Sequence, residues 1–334
     1  MREMNIAVIG ATGLVGQTFM RLLESRNFPV KNFYPFASEK SAGKKLEFNN
    51  EEYTVLCEKN IEEQEYDIAF FSAGGQIAKD LAERFVNQGA IVIDNSSAFR
   101  MDENVPLVIP EINEMRIDEH NGIIANPNCS TIQMLMVLAP LRLLSPIKRV
   151  VVSTYQSVSG SGLKAMEELK SQMREFVDGE KVSDPVVYPY HILNNSLPHI
   201  DRFLENGYTF EEMKMIQETY KIMEEDIPLT VTCVRVPVLC CHSEAINVEF
   251  ENEVSLEEIR TAFKEFPGVE LMDNPENLIY PLQGDLEGTD QVHVGRIRMD
   301  YSADNAVNLW CSTDNIQKGA ALNGIQIAEY ILNN

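Results

Sequence analysis

Residues 5–16 read Asn5-Ile6-Ala7-Val8-Ile9-Gly10-Ala11-Thr12-Gly13-Leu14-Val15-Gly16. Apart from Asn5 at its start, the first five residues form a continuous apolar run, which is typical of a parallel strand buried on both faces. A turn with glycine at every third position follows, and then apolar residues at helical spacing (Phe19, Leu22, Leu23). A strand, a glycine turn and a helix in this order let backbone N–H groups approach a pyrophosphate. The stretch predicts a dinucleotide-binding fold; the alternative is a tight strand-to-helix connection without a ligand.

The same pattern recurs further along the chain. A buried strand predicted over 67–71 ends at Ser72, and the predicted strand 90–93 precedes Asp94-Asn95-Ser96-Ser97-Ala98-Phe99-Arg100. Repeated strand, small-residue loop and helix is typical of the doubly wound α/β fold, whose ligands bind beyond the carboxyl ends of the strands. Arg100 is therefore expected near the cofactor crevice. The alternative is a surface arginine that pairs with an acidic neighbour in its own loop.

The end of the second predicted strand, residues 32–37, bears on the choice of cofactor. It leads into Ser38-Glu39-Lys40-Ser41. A fold that prefers NAD places a lone acid there for the ribose hydroxyls, whereas the 2′-phosphate of NADP requires small polar and basic groups. Ser38, Lys40 and Ser41 favour NADP, Glu39 leaves the choice open, and a solvated loop is the alternative. Residues 46–48 and 53–56 then predict a hairpin across Asn49-Asn50.

From Arg149 onward the pattern changes. Helices are predicted over 163–176 and 210–223, with an irregular stretch over 178–199 and several antiparallel strands (150–153, 231–236, 244–250, 292–299 and 306–311). Such strands with helices on one side indicate an α+β domain. An amphipathic helix over 315–332 closes the chain and is expected to return to the first domain.

The expected fold class is therefore α/β, with a Rossmann-type dinucleotide-binding domain followed by an α+β catalytic and dimerisation domain. We place the first domain at residues 1–127, completed by 315–334, and the second at 128–314. A chain of 334 residues exceeds what one hydrophobic core usually organises, which agrees with two domains.

The composition limits the possible partners. Lys and Arg number 28 against 51 Asp and Glu, so the net charge is −23. This field repels nucleic acid and anionic membranes, and no apolar run is long enough for a membrane span.

Six scattered cysteines without C-x-x-C pairs indicate free thiols in a reducing cytoplasm. Cys240-Cys241-His242 lacks a second ligand pair at a usual spacing, and no metal site is predicted.

The pentapeptide Pro127-Asn128-Cys129-Ser130-Thr131 carries the strongest chemical signal. A short apolar run, 123–125, precedes it and a long apolar run, 132–144, follows it. A cysteine where a strand passes into a helix faces unpaired N–H groups and the positive end of the helix dipole, which favours the nucleophilic thiolate. The alternative is a buried structural cysteine.

Taken together in their order, six motifs resemble those of the aspartate-β-semialdehyde dehydrogenase family along essentially the full chain. They are Gly10 to Gly16, Asp94 to Arg100, Pro127 to Thr131, Tyr155-Gln156-Ser157-Val158-Ser159-Gly160, Arg235-Val236-Pro237-Val238 running to His242-Ser243, and Lys318-Gly319-Ala320-Ala321-Leu322-Asn323. The resemblance implies NADPH-dependent reductive dephosphorylation of L-aspartyl-4-phosphate to L-aspartate-4-semialdehyde and phosphate, or the reverse. It places the enzyme in the biosynthesis of lysine through diaminopimelate and of threonine, methionine and isoleucine.

The resemblance also assigns roles to residues of this chain. Cys129 matches the nucleophile that forms a thioester, His242 the acid/base, and Gln156 the residue that orients the substrate. Substrate binding is implied for Arg235 (α-carboxylate), Glu211 (α-ammonium), Arg100 and Lys214 (phosphate), and Asn128. Cofactor contacts are implied for Gly10, Thr12, Gly13, Leu14, Val15, Ser38, Lys40, Ser41, Ser72, Ser159, Gly160 and Asn315. Lys40 stands where the family more often has Arg; it keeps the charge but loses the fork that holds a phosphate.

The chemistry of these residues agrees with the implied reaction. Acyl transfer from phosphate to sulfur needs a thiolate, cations for the leaving phosphate and a proton shuttle. His242 is expected in a polar turn between strands, which suits a shuttle. Arg235 can hold a carboxylate with two parallel hydrogen bonds. Glu211 and Lys214 are three residues apart in a predicted helix and should project from one face.

Three other functions compete with this interpretation. N-acetyl-γ-glutamyl-phosphate reductase shares the architecture, but its nucleophile motif usually has Gly before and Tyr after the cysteine, where this chain has Asn128 and Ser130. Its substrate also lacks the ammonium that Glu211 would bind. A short-chain dehydrogenase needs Tyr with Lys four residues later, which the sequence lacks. A non-catalytic NADP-binding Rossmann protein would more often have lost the nucleophile or the base.

We expect a cytoplasmic homodimer whose second domain supplies most of the interface.

Overall fold

The computed structural model describes residues 2–334, which divide into two units. The first comprises the described residues up to Asn128 together with Ala320–Asn334, and the second comprises Cys129–Gly319. Within residues 2–334, no helix combines the length and the apolar character that crossing a bilayer requires.

The first unit is built on a parallel five-stranded sheet. Its elements in chain order are β1 (Met4–Ile9), α1 (Leu14–Ser25), β2 (Val30–Phe36), β3 (Lys45–Phe48), β4 (Glu51–Thr54), β5 (Ile68–Phe71), α2 (Gly75–Asn87), β6 (Ile91–Asp94), α3 (Pro110–Asn113) and β7 (Ile123–Ala125). The strand order is β2-β1-β5-β6-β7, and every pair is parallel. β3 and β4 form the predicted antiparallel hairpin, with Asn49 and Asn50 at positive φ in the turn.

Alternate residues of the central strands face opposite sides of this sheet. Ile6 and Val8 of β1 pack with Phe19 of α1 in one core cluster, and Ala7 and Ile9 pack with the buried face of α2 in the other. The rings of Phe19 and Phe70 stack at 4.6 Å on the first side. Burial on both faces explains why these strands read as continuous apolar runs in the sequence.

The second unit contains a mixed six-stranded sheet. Its elements are α4 (Cys129–Arg142), β8 (Ile147–Gln156), α5 (Leu163–Val177), α6 (Phe210–Met223), β9 (Leu229–Arg235), β10 (His242–Phe250), α7 (Leu256–Glu265), β11 (Val269–Leu271), β12 (Val292–Met299) and β13 (Ala306–Thr313). The strand order is β11-β12-β13-β10-β8-β9. The expectation of antiparallel strands is wrong for β8 and β9, which are parallel. β11, which was not predicted, also pairs with β12 in parallel. Long connections that contain helices separate β8 from β9, as parallel pairing requires.

Helix α4 carries apolar side chains on every side because neighbouring elements bury it on every side. Every residue from Ser130 to Leu141 is buried, and the helix packs against β13, α6 and α7. The stretch 178–199 contains no helix or strand, as predicted. It is nevertheless fixed to α5, because Glu168 accepts hydrogen bonds from the backbone N–H groups of Val186 and Val187 at 2.8 and 2.6 Å.

The last helix, α8 (Leu322–Asn333), follows a π-helical turn over Gln317–Ala321. It therefore begins seven residues later than the predicted start at 315. Leu322, Ile325 and Ala328 belong to the core of the first unit. Asn323 donates hydrogen bonds to the carbonyl oxygen of Val108 at 2.9 Å and to the amide oxygen of Asn126 at 2.7 Å. These contacts explain why the end of the chain belongs to the first unit.

Candidate active site

The glycine turn after β1 forms one wall of a cleft in the first unit. Gly10 has φ +89°, and its Cα lies so close to Ser72 that a Cβ would come within 3.0 Å of the Ser72 carbonyl carbon. A Cβ on Gly16 would overlap the carbonyl oxygen of Gly10. Gly13 occupies the N-cap of α1 and brings no side-chain cap. The first N–H groups of α1 are therefore available for an anion.

The cleft has a volume of about 740 Å³. Several predicted cofactor residues line it, namely Gly10, Thr12, Gly13, Ser38, Lys40 and Ser72. Leu14 and Val15 are the first two residues of α1; they and Ser41 are not among the lining residues. Ser72 donates a hydrogen bond to the carbonyl oxygen of Ile9 at 3.0 Å. The first unit thus has a glycine-walled cleft large enough for part of a dinucleotide.

A charged pair lies at the rim of this cleft. Glu39 forms an ion pair with Lys59 at 2.6 Å, and both side chains are exposed. The hydrogen bond from Lys59 holds the pKa of Glu39 below its usual value. Lys40 beside it is exposed. The ion pair offsets part of the negative charge that the sequence places at this position.

Arg100 is buried in the first unit. Its Nε donates to the carbonyl oxygen of Asn126 at 2.9 Å, and one terminal nitrogen donates to that of Asn95 at 3.0 Å. The side chain is 7% exposed, so the alternative of a surface arginine is wrong. Bonds to carbonyl groups orient the guanidinium without neutralising its charge.

Cys129 is the first residue of α4, as the strand-to-helix pattern predicts. Its side chain is partly exposed, whereas Cys233, Cys241 and Cys311 are buried. Burial raises the pKa of all three buried thiols. Gly319 lies against Cys129, because a Cβ at this glycine would come within 3.1 Å of the cysteine Cβ. Asn128, which precedes Cys129, is buried in the first unit.

Strand pairing brings three of the predicted residues together in the second unit. Gln156 is paired with His242 on one side and with Arg235 on the other. His242 is also paired with Thr313 of β13. Directly paired residues point to the same face of a sheet. Arg235, Gln156, His242 and Thr313 therefore form one line across four strands, which we call the active-site row.

The side-chain amide of Gln156 is held at both ends. Its oxygen accepts a hydrogen bond from Thr154 at 3.1 Å, and its nitrogen donates to Glu211 at 3.1 Å. Glu211 also binds Lys214 at 3.0 Å, and Lys214 binds Asp201 at 2.9 Å. Burial by itself would lower the pKa of Lys214, but the two carboxylates outweigh it and the pKa is raised. The prediction that Glu211 and Lys214 share a helix face is confirmed.

His242 differs from the expectation of a polar turn. It is the first residue of β10 and is fully buried, because the sheet continues to this residue. Its Nδ1 accepts a hydrogen bond from the backbone N–H of Ser157 at 3.0 Å. A backbone N–H can only donate, so Nδ1 carries no proton and the proton of the neutral ring lies on Nε2. Burial, together with the charge of Arg235, lowers the pKa of His242 to about 3.

The space in front of the active-site row contains unused donors. Arg235 Nε, His242 Nε2 and Asn315 Nδ2 are buried and have no hydrogen-bond partner within residues 2–334. A Cβ on Gly160 would come within 3.0 Å of Arg235 and 3.2 Å of His242 Nε2. Ser159 donates to the oxygen of Asn315 at 3.0 Å and so orients its amide. Unused donors around a space left by a glycine fit a ligand with carboxylate and carbonyl oxygens.

Three residues of this site were not assigned a role from the sequence. Ser157 fixes the tautomer of His242, and Gly319 makes room for Cys129. Gln283 donates to the carbonyl oxygens of Tyr155 and Cys241 at 2.9 and 2.8 Å, which ties together the strand ends beside Gln156 and His242. Ser157 and Gly319 lie within family motifs, which was a usable signal; nothing in the sequence points to Gln283.

Comparison with known proteins agrees with this architecture. Residues 5–120 match the family model "Semialdehyde dehydrogenase, NAD binding domain", and residues 138–318 match "Semialdehyde dehydrogenase, dimerisation domain". An aspartate-semialdehyde dehydrogenase of Aquifex aeolicus is 51% identical over 98% of this chain and 97% of its own.

Two solved structures add ligands to the comparison. Aspartate semialdehyde dehydrogenase II from Vibrio cholerae, complexed with ASA, is 41% identical with a TM-score of 0.96 and covers 100% of this chain and 99% of its own. The Candida albicans enzyme with NADP is 26% identical with a TM-score of 0.77, over 99% of both chains.

The two units and their contents define an oxidoreductase, a nucleotide-dependent semialdehyde dehydrogenase with a dimerisation domain. Its near full-length similarity to named enzymes is specific. The chain belongs to the aspartate-semialdehyde dehydrogenase family. The predicted family, fold class and function are confirmed, and with them the place of the enzyme in amino-acid biosynthesis.

Proposed function

We propose that this enzyme interconverts L-aspartyl-4-phosphate and L-aspartate-4-semialdehyde through a thioester on Cys129. In the biosynthetic direction the thiolate attacks the acyl carbon and phosphate leaves. NADPH, when bound, supplies the hydride that reduces the acyl group. Collapse of the resulting hemithioacetal releases the aldehyde and restores the thiolate. The observation that supports this most is the active-site row, which brings an arginine, an amide and a histidine together in the unit that begins at Cys129.

Cys129 is the thiol best placed to be the nucleophile. It stands at the N-terminus of α4, where the positive end of the helix dipole favours a negative sulfur. Each of the three buried thiols would have to become charged in an apolar setting. Gly319 leaves space beside the sulfur-bearing carbon for an incoming acyl group.

In our proposal His242 fills the acid/base role by donating a hydrogen bond from Nε2 to the acyl oxygen. Its Nε2–H points into the space beside Gly160 and has no partner there within residues 2–334. A neutral N–H can donate to the carbonyl oxygen as that oxygen becomes negative. Ser157 holds the ring in this tautomer. The proton stays on Nε2, because the negative oxygen left by hydride addition collapses to the aldehyde and expels the thiolate without a net proton transfer.

Arg235 and Glu211 give the site its preference for an amino acid. The free Nε of Arg235 fits the substrate α-carboxylate, and Glu211 fits the α-ammonium. Gln156 lies between them, bonded to Glu211, and orients the bound acyl group. Arg100, Lys214 and Asn128 are proposed to bind the phosphate end of the substrate.

We propose NADP as the cofactor. The glycine turn and the free N-terminus of α1 suit a pyrophosphate, and the cleft has room for it. Lys40 with Ser38 and Ser41 suits a 2′-phosphate, and Lys59 offsets the opposing charge of Glu39. Leu14 and Val15 contribute backbone at the first turn of α1. Ser159, Gly160 and Asn315 are proposed contacts to the nicotinamide end.

The domain roles follow from this assignment. The first unit is proposed as the NADP-binding domain and the second as the catalytic and dimerisation domain. Large apolar side chains are exposed on the second unit, among them Phe176, Val177, Val186, Tyr190 and Phe203. A homodimer that covers them would remove this surface from water. Sedimentation showing a monomer at working concentration would contradict the homodimer.

The six free cysteines support a reducing compartment, and we propose the cytoplasm.

Phosphate-dependent reduction of NADP⁺ with L-aspartate-4-semialdehyde tests the proposal directly. Wild type and Cys129→Ala are compared, with Cys240→Ala, a partly exposed thiol outside the cofactor cleft, as the matched control. We expect activity that requires phosphate, is abolished in Cys129→Ala and persists in Cys240→Ala. Activity only with N-acetylglutamate semialdehyde would contradict the substrate, and inertness with both aldehydes would favour a non-catalytic protein.

A further inference from the structure

A second line of side chains crosses the same face of the sheet as the active-site row, two residues away along each strand. Glu244 is two residues after His242 on β10, so both point to the same face of the sheet. Its paired neighbours are Thr154 on β8 and Cys311 on β13, and Thr154 is paired with Cys233 on β9. We call Cys233, Thr154, Glu244 and Cys311 the rear row. Glu244 is fully buried in its centre.

The rear row is connected to the helix that carries Cys129. The thiol of Cys311 donates to Glu244 Oε2 at 3.8 Å. Gln133 of α4 donates to the sulfur of Cys311 at 3.3 Å and to its carbonyl oxygen at 3.4 Å. Gln133 follows Cys129 by four residues and therefore lies on the same side of α4, about one turn away. Glu244, Cys311 and Gln133 thus connect the strand of His242 with the first turns of α4.

This connection lacks one hydrogen-bond donor. Glu244 Oε1 and Gln133 Oε1 are both buried and have no partner within residues 2–334. Within residues 2–334, no Lys, Arg or His side chain forms an ion pair with Glu244. Its paired neighbours are the hydroxyl of Thr154 and the thiol of Cys311, and the neutral ring of His242 lies two residues before it on the same face. The amide of Gln133 contacts Cys311, and the thiol of Cys233 lies beyond Thr154 in the same line. A carboxylate in such a setting is strongly unfavourable, whereas a carboxylic acid supplies the missing donor.

We propose that Glu244 is a protonated positioning residue that holds the strand of His242 and the helix of Cys129 in register with each other. Burial raises the pKa of Glu244 well above its usual value, which agrees with a neutral group. Its proton reaches an oxygen such as that of Gln133 directly or through one buried water. A neutral side chain also leaves the nucleophile free of a nearby negative charge, which would oppose formation of the thiolate.

Infrared difference spectra between wild type and Glu244→Gln test the protonation state. We expect the wild type to show the carbonyl stretch of a protonated carboxylic acid at neutral pH, and the variant to lose it. Glu249→Gln is the matched control, since Glu249 is on the same strand but on the opposite face, paired with Arg149 at 3.0 Å. Absence of the band from the wild type would overturn the proposal.

The pH dependence of alkylation of Cys129 by iodoacetamide, followed by mass spectrometry of its peptide, gives a second test. Glu244→Gln removes no charge from a neutral group, so the apparent pKa of the Cys129 reaction should stay as in wild type. A shift of that pKa to lower values would mean that Glu244 is ionised, and the proposal would fail.

Turnover tests the positioning itself. Glu244→Leu keeps the approximate volume but breaks the connection, and we expect kcat to fall by about ten- to a hundred-fold with little change in KM. Gln133→Leu breaks the same connection from the other end and serves if Glu244→Leu does not fold. Glu244→Gln keeps a hydrogen-bonding group, and its kcat should lie within about three-fold of the wild-type value. Wild-type kcat in both leucine variants would refute a positioning role.

The inference rests on the proposed roles of Cys129 and His242, but its first test does not. The infrared band is measured without substrate or turnover. If Cys129→Ala stayed active, the proposed function would fail while the protonation state of Glu244 would remain measurable.

Discussion

Gln156 and His242 lie directly opposite each other on neighbouring antiparallel strands, 86 positions apart by their numbers in the chain. The same Gln156 is the parallel partner of Arg235. Because β8 lies between β9 and β10, one strand register aligns all three side chains on one face. A shift of one residue in either pairing would turn one of them to the other face of the sheet. Strand register therefore sets the geometry of this candidate active site.

Replacing His242 should change how stability depends on pH. The folded protein keeps His242 neutral down to about pH 3, whereas the unfolded chain takes up a proton near the ordinary value of 6.5. Stability conferred by the neutral ring is therefore complete above pH 6.5 and is lost as the pH falls towards 3. Urea unfolding should show that wild type loses about 2 kcal/mol more than His242→Gln between about pH 7 and pH 5. Equal losses in the two proteins would contradict the burial of a neutral imidazole.

Gly319→Ala should impair the proposed nucleophile, Cys129, without altering its chemistry. The new Cβ would come within 3.1 Å of the Cys129 Cβ, so the cysteine or the turn must move. We expect kcat and the rate of Cys129 alkylation to fall by about ten-fold or more. Gly284→Ala is the matched control, since a Cβ there meets no atom within 4 Å. Similar kinetics in the two variants would show that the close approach is unimportant.

Gly16→Ala should damage the cofactor cleft. A Cβ at this position overlaps the carbonyl oxygen of Gly10, which forces α1 away from the glycine turn. We expect a loss of about 1–3 kcal/mol in the free energy of unfolding, as for other overpacked sites, together with weaker NADP⁺ binding by fluorescence titration. Gly75→Ala adds a methyl group with only ordinary contacts at 3.9 Å and should change neither. Unchanged NADP⁺ affinity in Gly16→Ala would argue against a role of this turn in binding.

The rim of the cleft should control the preference between the two nicotinamide dinucleotides. Glu39→Gln removes a negative charge beside Lys40, so the ratio of kcat/KM for NADP⁺ to that for NAD⁺ should rise several-fold. Lys40→Ala should lower the same ratio. Glu47→Gln, an exposed acid of β3 outside the cleft, serves as the control. A fall of the ratio in Glu39→Gln would mean that this carboxylate binds ribose hydroxyls and favours NAD⁺.

Much of the site could be predicted because its signals are local in sequence. The start of α4 at Cys129 follows from the change between a short apolar run and a long one, and the shared face of Glu211 and Lys214 follows from helical spacing. His242 was misplaced in a turn, because the sequence does not show how far β10 extends. Gln283 was missed since its two bonds join carbonyl groups that are distant in the chain.

The sequence by itself determined the strand-turn-helix of residues 5–16, the succession of α/β and α+β segments and the position of Cys129 at the start of a helix. Each of these depends on hydrogen bonds and apolar periodicity within a few residues. Only the tertiary structure decided the strand order, the tautomer of His242 and the buried setting of Glu244. These depend on which distant strands become neighbours, because register and burial are set by the packing of the whole sheet.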